Sequence, residues 1–218
     1  YRRQRQMCIR DRVYELLDRG ETVVVLDRLS TGFDWAVAPG AELVVGDIGD
    51  QPMVERLIAE RGVNSIIHFA GSVVVPDSVA DPLEYYLNNT VRSRSLIAAA
   101  VAGGVDNFIF SSTAAVYGSP EAVPVTEAAP KAPESPYGAS KLMTERMLED
   151  VGHAHGLRYA ILRYFNVAGA DPDGRTGQST RGATHLIKVA CETALGKRDG
   201  MKVYGTDYPT EDGTCLLY

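Results

Sequence analysis

The amino-acid sequence predicts an α/β protein, in which a doubly wound parallel sheet is followed by the beginning of a smaller lobe. Short apolar runs rich in β-branched residues alternate with stretches of helical periodicity from Val13 onward. The runs are apolar throughout, which is typical of strands in a parallel sheet that helices cover on both faces. After residue 169 the chain becomes polar and loop-like, and this change predicts the second lobe.

Five strands and four helices are predicted before that change. The strands are Thr22–Asp27, Leu43–Asp47, Ser65–Ala70, Asn107–Ser112 and Tyr159–Phe165. The helices are Arg12–Arg19, Pro52–Arg61, Pro82–Ala102 and Tyr137–His155. Gly20 is typical of a residue that ends a helix, and Pro52 is typical of a first helical turn.

A polar segment over residues 170–182 separates this sheet from the second predicted unit. A helix over Ala183–Leu195 and a short strand over Lys202–Tyr204 follow it. We therefore divide the chain into three parts. They are a tail foreign to the fold (residues 1–12), a sheet domain (residues 13–169) and a partial second lobe (residues 170–218).

Composition and charge exclude several classes of protein. Of the 218 residues, 45% are hydrophobic and 23% are charged, as in an ordinary globular protein with one sizeable core. The net charge of −6 disfavours nucleic acid as the main partner. Apolar stretches such as Leu96–Ala102 are far shorter than the roughly 20 residues that cross a bilayer, so no membrane partner is expected.

The cysteines and the first twelve residues bear on the compartment. Cys8, Cys191 and Cys215 are an odd set without CxxC spacing, which favours a reducing, cytoplasmic location and argues against a metal site. Residues 1–12 carry five Arg and one Asp, a net of +4, which leaves −10 for the rest of the chain. No apolar segment follows this basic opening, so it does not predict a secretory signal.

Two acidic residues stand at the ends of predicted strands. Asp27 ends TVVVLD, where a carboxylate can accept hydrogen bonds from a ribose 2′-hydroxyl and so prefer NAD over NADP. Asp47, followed by Ile48, ends the next strand and could lie near an adenine amino group. An ordinary turn or capping role remains the alternative for each residue.

The third strand ends in His68-Phe69-Ala70-Gly71. Small residues at this point let the backbone approach a cofactor closely. His68 lies inside an apolar run, which favours a packed strand residue over a ligand.

The motif Tyr137-Gly138-Ala139-Ser140-Lys141 is the sharpest chemical feature. Tyr137 and Lys141 are four residues apart on a predicted helix, so they share one face. A phenol with its ordinary pKa of about 10 is a poor base at neutral pH, and a nearby cation favours the phenolate. Ser111-Ser112-Thr113 closes the preceding strand and offers hydroxyls to the same proton network. A solvated helix face is the alternative, and it does not explain the other strand-end residues.

These residues resemble the extended short-chain dehydrogenase/reductase family, and within it the UDP-glucose 4-epimerases. A strand-end hydroxyl followed by YxxxK on the next long helix is the signature of that family. The matching stretches are VVVLDRLSTG, GDI, HFAG, DPLEYYLNNT, NFIFSSTAAVYG, SPYGASK, LRYFNVAGADPDG and YGTDYPTEDGTC, within residues 13–215. Related sugar-nucleotide dehydratases carry an Asp-Glu pair after the strand-end Thr, where this chain has Ala114 and Ala115.

The resemblance implies an NAD-dependent epimerisation at C4 of a UDP-hexose, UDP-glucose or UDP-galactose, through a 4-keto intermediate. It implies that Tyr137 is the catalytic base, that Lys141 supports it and binds the nicotinamide ribose, and that Thr113 hydrogen-bonds the 4-oxygen. Such an enzyme belongs to galactose metabolism and holds NAD without consuming it. Residues 13–169 are then an incomplete NAD-binding, Rossmann-like domain.

The resemblance also implies binding residues and a partner. The cofactor-binding residues are Asp27, Asp47, Ile48, Phe69, Ala70, Gly71, Asn88, Tyr137, Lys141 and Phe165. The substrate-binding residues are Thr113, Tyr137, Asn166 at the phosphates and Tyr204 beside the uracil. Family members often dimerise through the two long helices, here 82–102 and 137–155, so a homodimer is expected.

The chain departs from the family at both tips. The family opens with a strand and a GxxGxxG turn, whereas YRRQRQMCIRDR stands in their place here, and the chain ends as Leu216-Leu217-Tyr218 where the family continues. We therefore expect a fragment that retains no NAD and has no activity by itself. The missing first strand belongs between TVVVLD and SIIHFA, so we expect a gap there or a makeshift strand from residues 1–10.

Two single residues also depart from the family. Val73 stands where many members have a Lys, and Arg28 replaces a common Asn. An Arg at this place can pair with the 2′-phosphate of NADP. Two alternative functions stay open: another NAD-dependent nucleotide-sugar oxidoreductase or decarboxylase, and a non-catalytic fragment that keeps the fold.

Overall fold

The computed structural model describes residues 4–30, 32–122, 124–165, 167, 169, 171–176, 186–202, 205–208 and 213, with side chains from Arg10 onward in the first helix. The strands in this part of the chain are β1 (Val24–Asp27), β2 (Glu42–Val45), β3 (Ser65–His68), β4 (Asn107–Ser111) and β5 (Arg158–Leu162). The helices are α1 (Gln4–Asp18), α2 (Gln51–Arg61), α3 (Val75–Ala80), α4 (Pro82–Tyr86), α5 (Arg92–Ala102), α6 (Pro136–His155) and α7 (Leu186–Ala194).

All five predicted strands are present and all their pairings are parallel, which confirms the α/β fold class. β1 pairs with β2, with Val24 opposite Glu42. β4 lies between β3 and β5, with Asn107 opposite Ser65 on one side and opposite Arg158 on the other.

The sheet is divided between β1 and β3. The described strands form a two-stranded sheet and a three-stranded sheet, and no ladder joins them. The expected gap is therefore confirmed. Residues 4–18 form α1 instead of a makeshift strand. This segment is rich in Arg, Gln, Met and Leu, which favour helix, and it lacks the β-branched run that favours a strand.

Burial on both faces, which the apolar runs predict, holds only for the central strand. Phe108 and Phe110 of β4 have no exposed surface, whereas Val45 at the end of β2 is 64% exposed. On β5, Tyr159 and Leu162 are more than one-third exposed. β5 has β4 as its described neighbour on one side alone, and β2 belongs to the two-stranded sheet, so both have fewer elements to pack against.

The predicted helix over 82–102 is continuous but not uniform. α4 and α5 are joined by a five-residue π-helical turn, Leu87–Val91. Sequence periodicity did not predict this turn. Such turns are rare and are found mostly at functional sites.

The core lies between the three-stranded sheet and helices α2, α5 and α6. Its buried members are Val54, Ile58, Leu96, Ile97, Ala99, Ala100, Val105, Phe108, Phe110, Leu148 and Leu157. Leu148 brings α6 into this core and has no exposed surface. Ser135 caps the start of α6 by accepting a hydrogen bond from the backbone N–H of Gly138, and Gly156, with φ of 74°, ends the helix in the left-handed region.

The second predicted lobe is described in part. α7 lies within the predicted helix Ala183–Leu195, of which residues 183–185 are outside the described residues. Of the predicted strand Lys202–Tyr204, only Lys202 is described, and it is not in a strand. α1 crosses residue 12 without a break, so no helix end marks the predicted end of the tail. The division into a tail, a sheet domain and a second lobe stays a prediction.

We expect Leu148→Ala to lower the free energy of unfolding by about 2–5 kcal/mol, because it removes buried methyl groups and leaves a cavity. The matched control is Met143→Ala on the same helix, where the side chain is 47% exposed. Urea unfolding followed by circular dichroism measures both. Equal losses for the two variants would contradict the assignment of α6 to the core.

Candidate active site

The predicted YxxxK pair lies on the buried face of α6. Tyr137 is 8% exposed and Lys141 is 1% exposed, so the alternative of a solvated helix face is wrong. The Lys141 Nζ donates a hydrogen bond to the backbone carbonyl of Ser111 at 3.1 Å and lies 4.7 Å from the centre of the Phe110 ring. A buried ammonium is costly unless acceptors and π-faces surround it, and here the end of β4 supplies both.

Thr113 follows β4 and begins the 3₁₀ turn Ala114–Tyr117. It is 8% exposed, and its Oγ1 accepts a hydrogen bond from the backbone N–H of Ala115 at 3.2 Å. A hydroxyl that accepts a hydrogen bond still has its own proton to donate. The Thr113 hydroxyl therefore has its oxygen fixed in position and a proton that it can donate to an oxygen of a bound molecule.

Gly138 permits the close approach of α6 to this 3₁₀ turn. A Cβ at this position would lie 2.7 Å from the Ala115 carbonyl oxygen and 2.9 Å from Cβ of Pro133. Any larger residue would push the helix away from the turn. The glycine of the YGASK motif thus sets the distance between Tyr137 and the end of β4.

A second charged residue on the same helix face holds α6 in place. Glu145 has no exposed surface and accepts a hydrogen bond from the Ser112 hydroxyl. Arg163, just after β5, donates to it from Nε at 3.1 Å and from Nη2 at 2.9 Å. The Arg163 Nη1 also donates to the Tyr117 hydroxyl at 2.6 Å. Its hydrogen bonds with Glu145 raise the pKa of the Arg163 guanidinium above its ordinary value.

Sequence analysis missed Glu145 and Arg163. The available signal was the spacing, since Glu145 follows Lys141 by four residues and therefore shares its face. A further carboxylate in that register on a buried face requires a cationic partner.

Asn89 fixes the loop that follows β3, and sequence analysis missed it as well. Its side chain accepts from the Ser72 backbone N–H at 2.7 Å and donates to the Ser72 carbonyl at 2.9 Å. It also donates to the Ser140 hydroxyl on α6 at 3.1 Å. The π-helical turn thereby links the Phe69–Gly71 loop to the helix that carries Tyr137.

The predicted residues after β3 lie at this loop. Phe69 and Gly71 are half-buried, and Ala70 is exposed. Gly71 has a φ of 143°, a value that favours glycine, so a residue with a side chain would be strained at this position. His68 is 2% exposed and shares a 2.7 Å hydrogen bond with Ser93, which confirms it as a packed strand residue.

The two predicted acids differ in their surroundings. The Asp27 Oδ1 accepts from the backbone N–H of Leu29 at 2.7 Å, which is the turn role named as an alternative. Asp47 accepts from the backbone N–H of Gly49 at 2.8 Å and also pairs with Arg28 and Arg92. Ile48 packs against the core.

The remaining predicted residues are placed as follows. Asn88 is 7% exposed, and its amide donates to the Ser72 hydroxyl at 2.8 Å. Phe165 follows β5 and is 48% exposed. Asn166 and Tyr204 lie outside the described residues.

The residues described above suit the binding of a nicotinamide dinucleotide. Carboxylates at the ends of β1 and β2 can accept from ribose and adenine donors, and a Tyr–Lys–Thr group at the end of β4 can face a reacting sugar. The glycine-rich turn that would hold the pyrophosphate is not in the sequence ahead of β1, where Gly20 is the single glycine. No group of three or more His, Cys, Asp or Glu side chains within the described ranges could hold a metal ion.

A family model described as the NAD dependent epimerase/dehydratase family matches residues 12–214. A UDP-glucose 4-epimerase from Azospirillum brasilense is 56% identical over 204 residues, which are 94% of this chain and 59% of that protein. A UDP-glucose 4-epimerase from Lacticaseibacillus casei is 45% identical over 202 residues, covering 93% of this chain and 61% of that protein. The chain thus spans about three-fifths of the length of these curated relatives.

Solved structures show the same likeness. A UDP-glucose 4-epimerase from Brucella ovis in complex with NAD matches with a TM-score of 0.88 and 43% identity, over 94% of this chain and 63% of that chain. One from Bifidobacterium longum in complex with NAD+ and UDP matches with a TM-score of 0.83 and 35% identity, over 94% of this chain and 64% of that chain.

We expect Glu145→Ala to lower the free energy of unfolding by about 3–5 kcal/mol, because Arg163 then loses its buried partner. Glu149→Ala, one turn further along α6, is the matched control. The Glu149 side chain is 30% exposed and pairs at the surface, so its loss should cost less than about 1 kcal/mol. Urea unfolding of the two variants tests this expectation.

The double variant Glu145→Met, Arg163→Met separates the ion pair from packing. It removes both charges together and should recover part of the stability that Glu145→Ala loses. A loss in the double variant as large as the losses of Glu145→Met and Arg163→Met added together would contradict the pairing.

Proposed function

This chain belongs to the NAD dependent epimerase/dehydratase family, and from that premise we propose that it is part of an enzyme that epimerises a UDP-hexose at C4. The reaction would interconvert UDP-glucose and UDP-galactose and serve galactose metabolism. The observation that carries the proposal is the burial of Tyr137 and Lys141 on one helix face, with Lys141 bonded to the end of β4 and the Thr113 hydroxyl fixed just after that strand. The names of the relatives and their bound NAD and UDP support it.

Tyr137, Thr113 and Lys141 would have different roles in the reaction of the sugar. Tyr137 takes the proton from the 4-hydroxyl group and later returns a proton to the 4-keto oxygen of the intermediate. Thr113 donates a hydrogen bond to that oxygen while it is a ketone. Lys141 would support Tyr137 by its positive charge, which water screens little because the side chain is buried. When bound, NAD supplies the hydride chemistry at C4, which no side chain can supply.

The residues that would hold NAD are those predicted from the sequence. Asp27 would bind the adenosine ribose, the Asp47–Ile48 segment would lie near the adenine, and the Phe69–Gly71 backbone would approach the cofactor. Asn88 and Phe165 would line the cofactor site, and Lys141 would bind the nicotinamide ribose. For the UDP-sugar, we retain Asn166 at the phosphates and Tyr204 beside the uracil as proposals.

A second candidate is a non-catalytic fragment that keeps the fold. The absent glycine-rich turn and the gap between β1 and β3 favour it for residues 1–218 alone. A third candidate is a net nucleotide-sugar oxidoreductase or decarboxylase with the same Tyr–Lys pair. Product analysis separates these candidates, because epimerisation neither consumes NAD nor releases CO₂.

A second copy of the chain is the proposed protein partner. Four exposed apolar side chains repeat every four residues on α3, α4 and the π-helical turn: Val79, Leu83, Leu87 and Val91. α3 ends at Ala80 and α4 begins at Pro82, so Val79 lies on a separate helix, whereas Leu83 and Leu87 lie four residues apart on one helical run. Met143 on α6 is also exposed, and exposed apolar side chains on the two long helices support a dimer formed through them.

The location is proposed from the sequence alone. Three cysteines without disulfide-like or metal-like spacing favour the cytoplasm. In the part of the chain that the structure describes, no helix has the length and apolar character needed to span a membrane.

Activity is best tested in a chimera. Residues 12–214 replace the matching segment of the Azospirillum brasilense relative, which supplies the segments on either side. In this chimera, Tyr137→Phe should lower the rate of conversion of UDP-galactose to UDP-glucose by about 10²–10⁴-fold, because a positioned general base is lost.

Bound NAD should remain in that variant, since the aromatic ring is kept and only the hydroxyl group is lost. Tyr159→Phe is the matched control, because Tyr159 is partly exposed on β5 and should leave turnover unchanged. Near-normal turnover in Tyr137→Phe would contradict the assignment of the base.

We expect the chimera to be a dimer and the double variant Leu83→Glu, Leu87→Glu to be a monomer, because buried carboxylates without partners are costly at an interface. Light scattering after size-exclusion chromatography measures the mass. The control Leu186→Glu, Leu195→Glu makes the same change at two exposed leucines elsewhere and should stay dimeric. A dimer that survives the first pair of substitutions would place the interface on another surface.

A further inference from the structure

Two arginine side chains meet at the ends of β1 and β2 and share the same two acceptors. Arg28, directly after β1, lies with Nη1 3.3 Å from Oδ2 of Asp47 and donates from Nη2 to Oδ1 of Asn88 at 3.1 Å. Arg92, the first residue of α5, lies with Nε 3.2 Å from the same Asp47 oxygen and donates to the same Asn88 oxygen at 2.7 Å. We call these four residues the arginine cluster.

The acceptors of the arginine cluster are fixed by bonds of their own. The other oxygen of Asp47 accepts from the Gly49 backbone N–H at 2.8 Å. Asn88 donates to the Ser72 hydroxyl at 2.8 Å and is 7% exposed. The direction of the Arg28 guanidinium is therefore set by groups that are themselves held.

Hydrogen bonding, rather than packing, restrains Arg28. Its side chain is 37% exposed, so it has room to turn if its partners are removed. Both of its outer nitrogens are engaged by Asp47 and Asn88, and a turn toward another anion would break both contacts.

The position of Arg28 bears on which dinucleotide binds. An arginine beside the acid that ends this strand can pair with a 2′-phosphate, whereas the acid alone accepts from a free 2′-hydroxyl and repels a phosphate. Among the described ion pairs, Arg28 pairs with Asp47 and not with its neighbour Asp27. The carboxylate of Asp27 is thus left unneutralised by the guanidinium that follows it.

We propose that Asp47 is a specificity residue: together with Asn88 it holds Arg28 away from the 2′ position of the adenosine ribose and so maintains the choice of NAD over NADP. This inference rests on the proposed function only in requiring that a nicotinamide dinucleotide binds. Asp47 acts here through Arg28, in addition to any contact it makes with the adenine that both dinucleotides share.

The test is the ratio of the dissociation constants of the chimera for NAD and NADP, measured by calorimetry. Asp47→Asn removes the charge that holds both arginines and should shift the ratio toward NADP by about two- to fivefold, as expected for the release of one half-exposed ion pair. Asp50→Asn is the matched control, since it makes the same charge change on the same loop, keeps a capping side chain for α2 and leaves the arginine cluster intact.

A second variant identifies Arg28 as the group that responds. In Asp47→Asn, Arg28→Gln the shift toward NADP should disappear, because the released guanidinium is absent. An unchanged ratio in Asp47→Asn, an equal shift in Asp50→Asn, or a shift that persists in the double variant would each overturn the inference. Epimerisation is measured separately, so a chimera that binds NAD without interconverting UDP-sugars refutes the proposed function and still gives this ratio.

Discussion

The inner face of α6 carries two buried charges of opposite sign, and the arrangement of the site depends on satisfying both. Lys141 and Glu145 have almost no exposed surface, so each must find partners within hydrogen-bond distance. Lys141 finds the carbonyl that ends β4, and Glu145 finds Ser112 and Arg163. These bonds fix the rotation of α6 about its own axis. Tyr137, on the same face as Lys141, is oriented by the same constraint.

The two halves of the proposed cofactor site are held by different kinds of interaction. Around Tyr137 the bonds are buried: the pairs of Lys141 and Glu145 and the contacts of Asn89. Around Asp27 and Asp47 they are half-exposed ion pairs, which water and salt weaken. Local opening begins where contacts are exposed, so the half around Tyr137 is the more rigid one and the half around Asp27 and Asp47 is the more adaptable one. A single charge change can therefore alter the second half without disturbing the proposed reacting groups.

Sequence patterns predicted the elements well and the connections between them less well. The strands, their parallel pairing and the face shared by Tyr137 and Lys141 follow from continuous apolar runs and from the 3.6-residue period of a helix, which short segments carry by themselves. The ion pair of Glu145 with Arg163 joins residues 18 positions apart, and its geometry depends on how α6 packs on β5. The hydrogen bonds of Asn89 with Ser72 and Ser140 depend on the π-helical turn. That turn contains an extra residue, which sequence periodicity does not show. The prediction that β2 and β5 are buried on both faces was wrong. The burial of a strand depends on the elements that pack beside it, and its own residues do not show which elements these are.

The π-helical turn at Leu87–Val91 also determines which changes in chain length the molecule tolerates. A π-helical turn contains one residue more than the corresponding α-helical turn, and each residue rotates a helix by about 100°. Deleting one residue here would regularise the helix and improve its local hydrogen bonding. Because the π-helical turn fits its extra residue within one turn, α4 and α5 would keep their relative orientation, but the residues inside the turn would shift and Asn88 and Asn89 would no longer both contact Ser72. The π-helical turn thus places two adjacent asparagines within reach of one serine, and a deletion that improved the helix would break that arrangement.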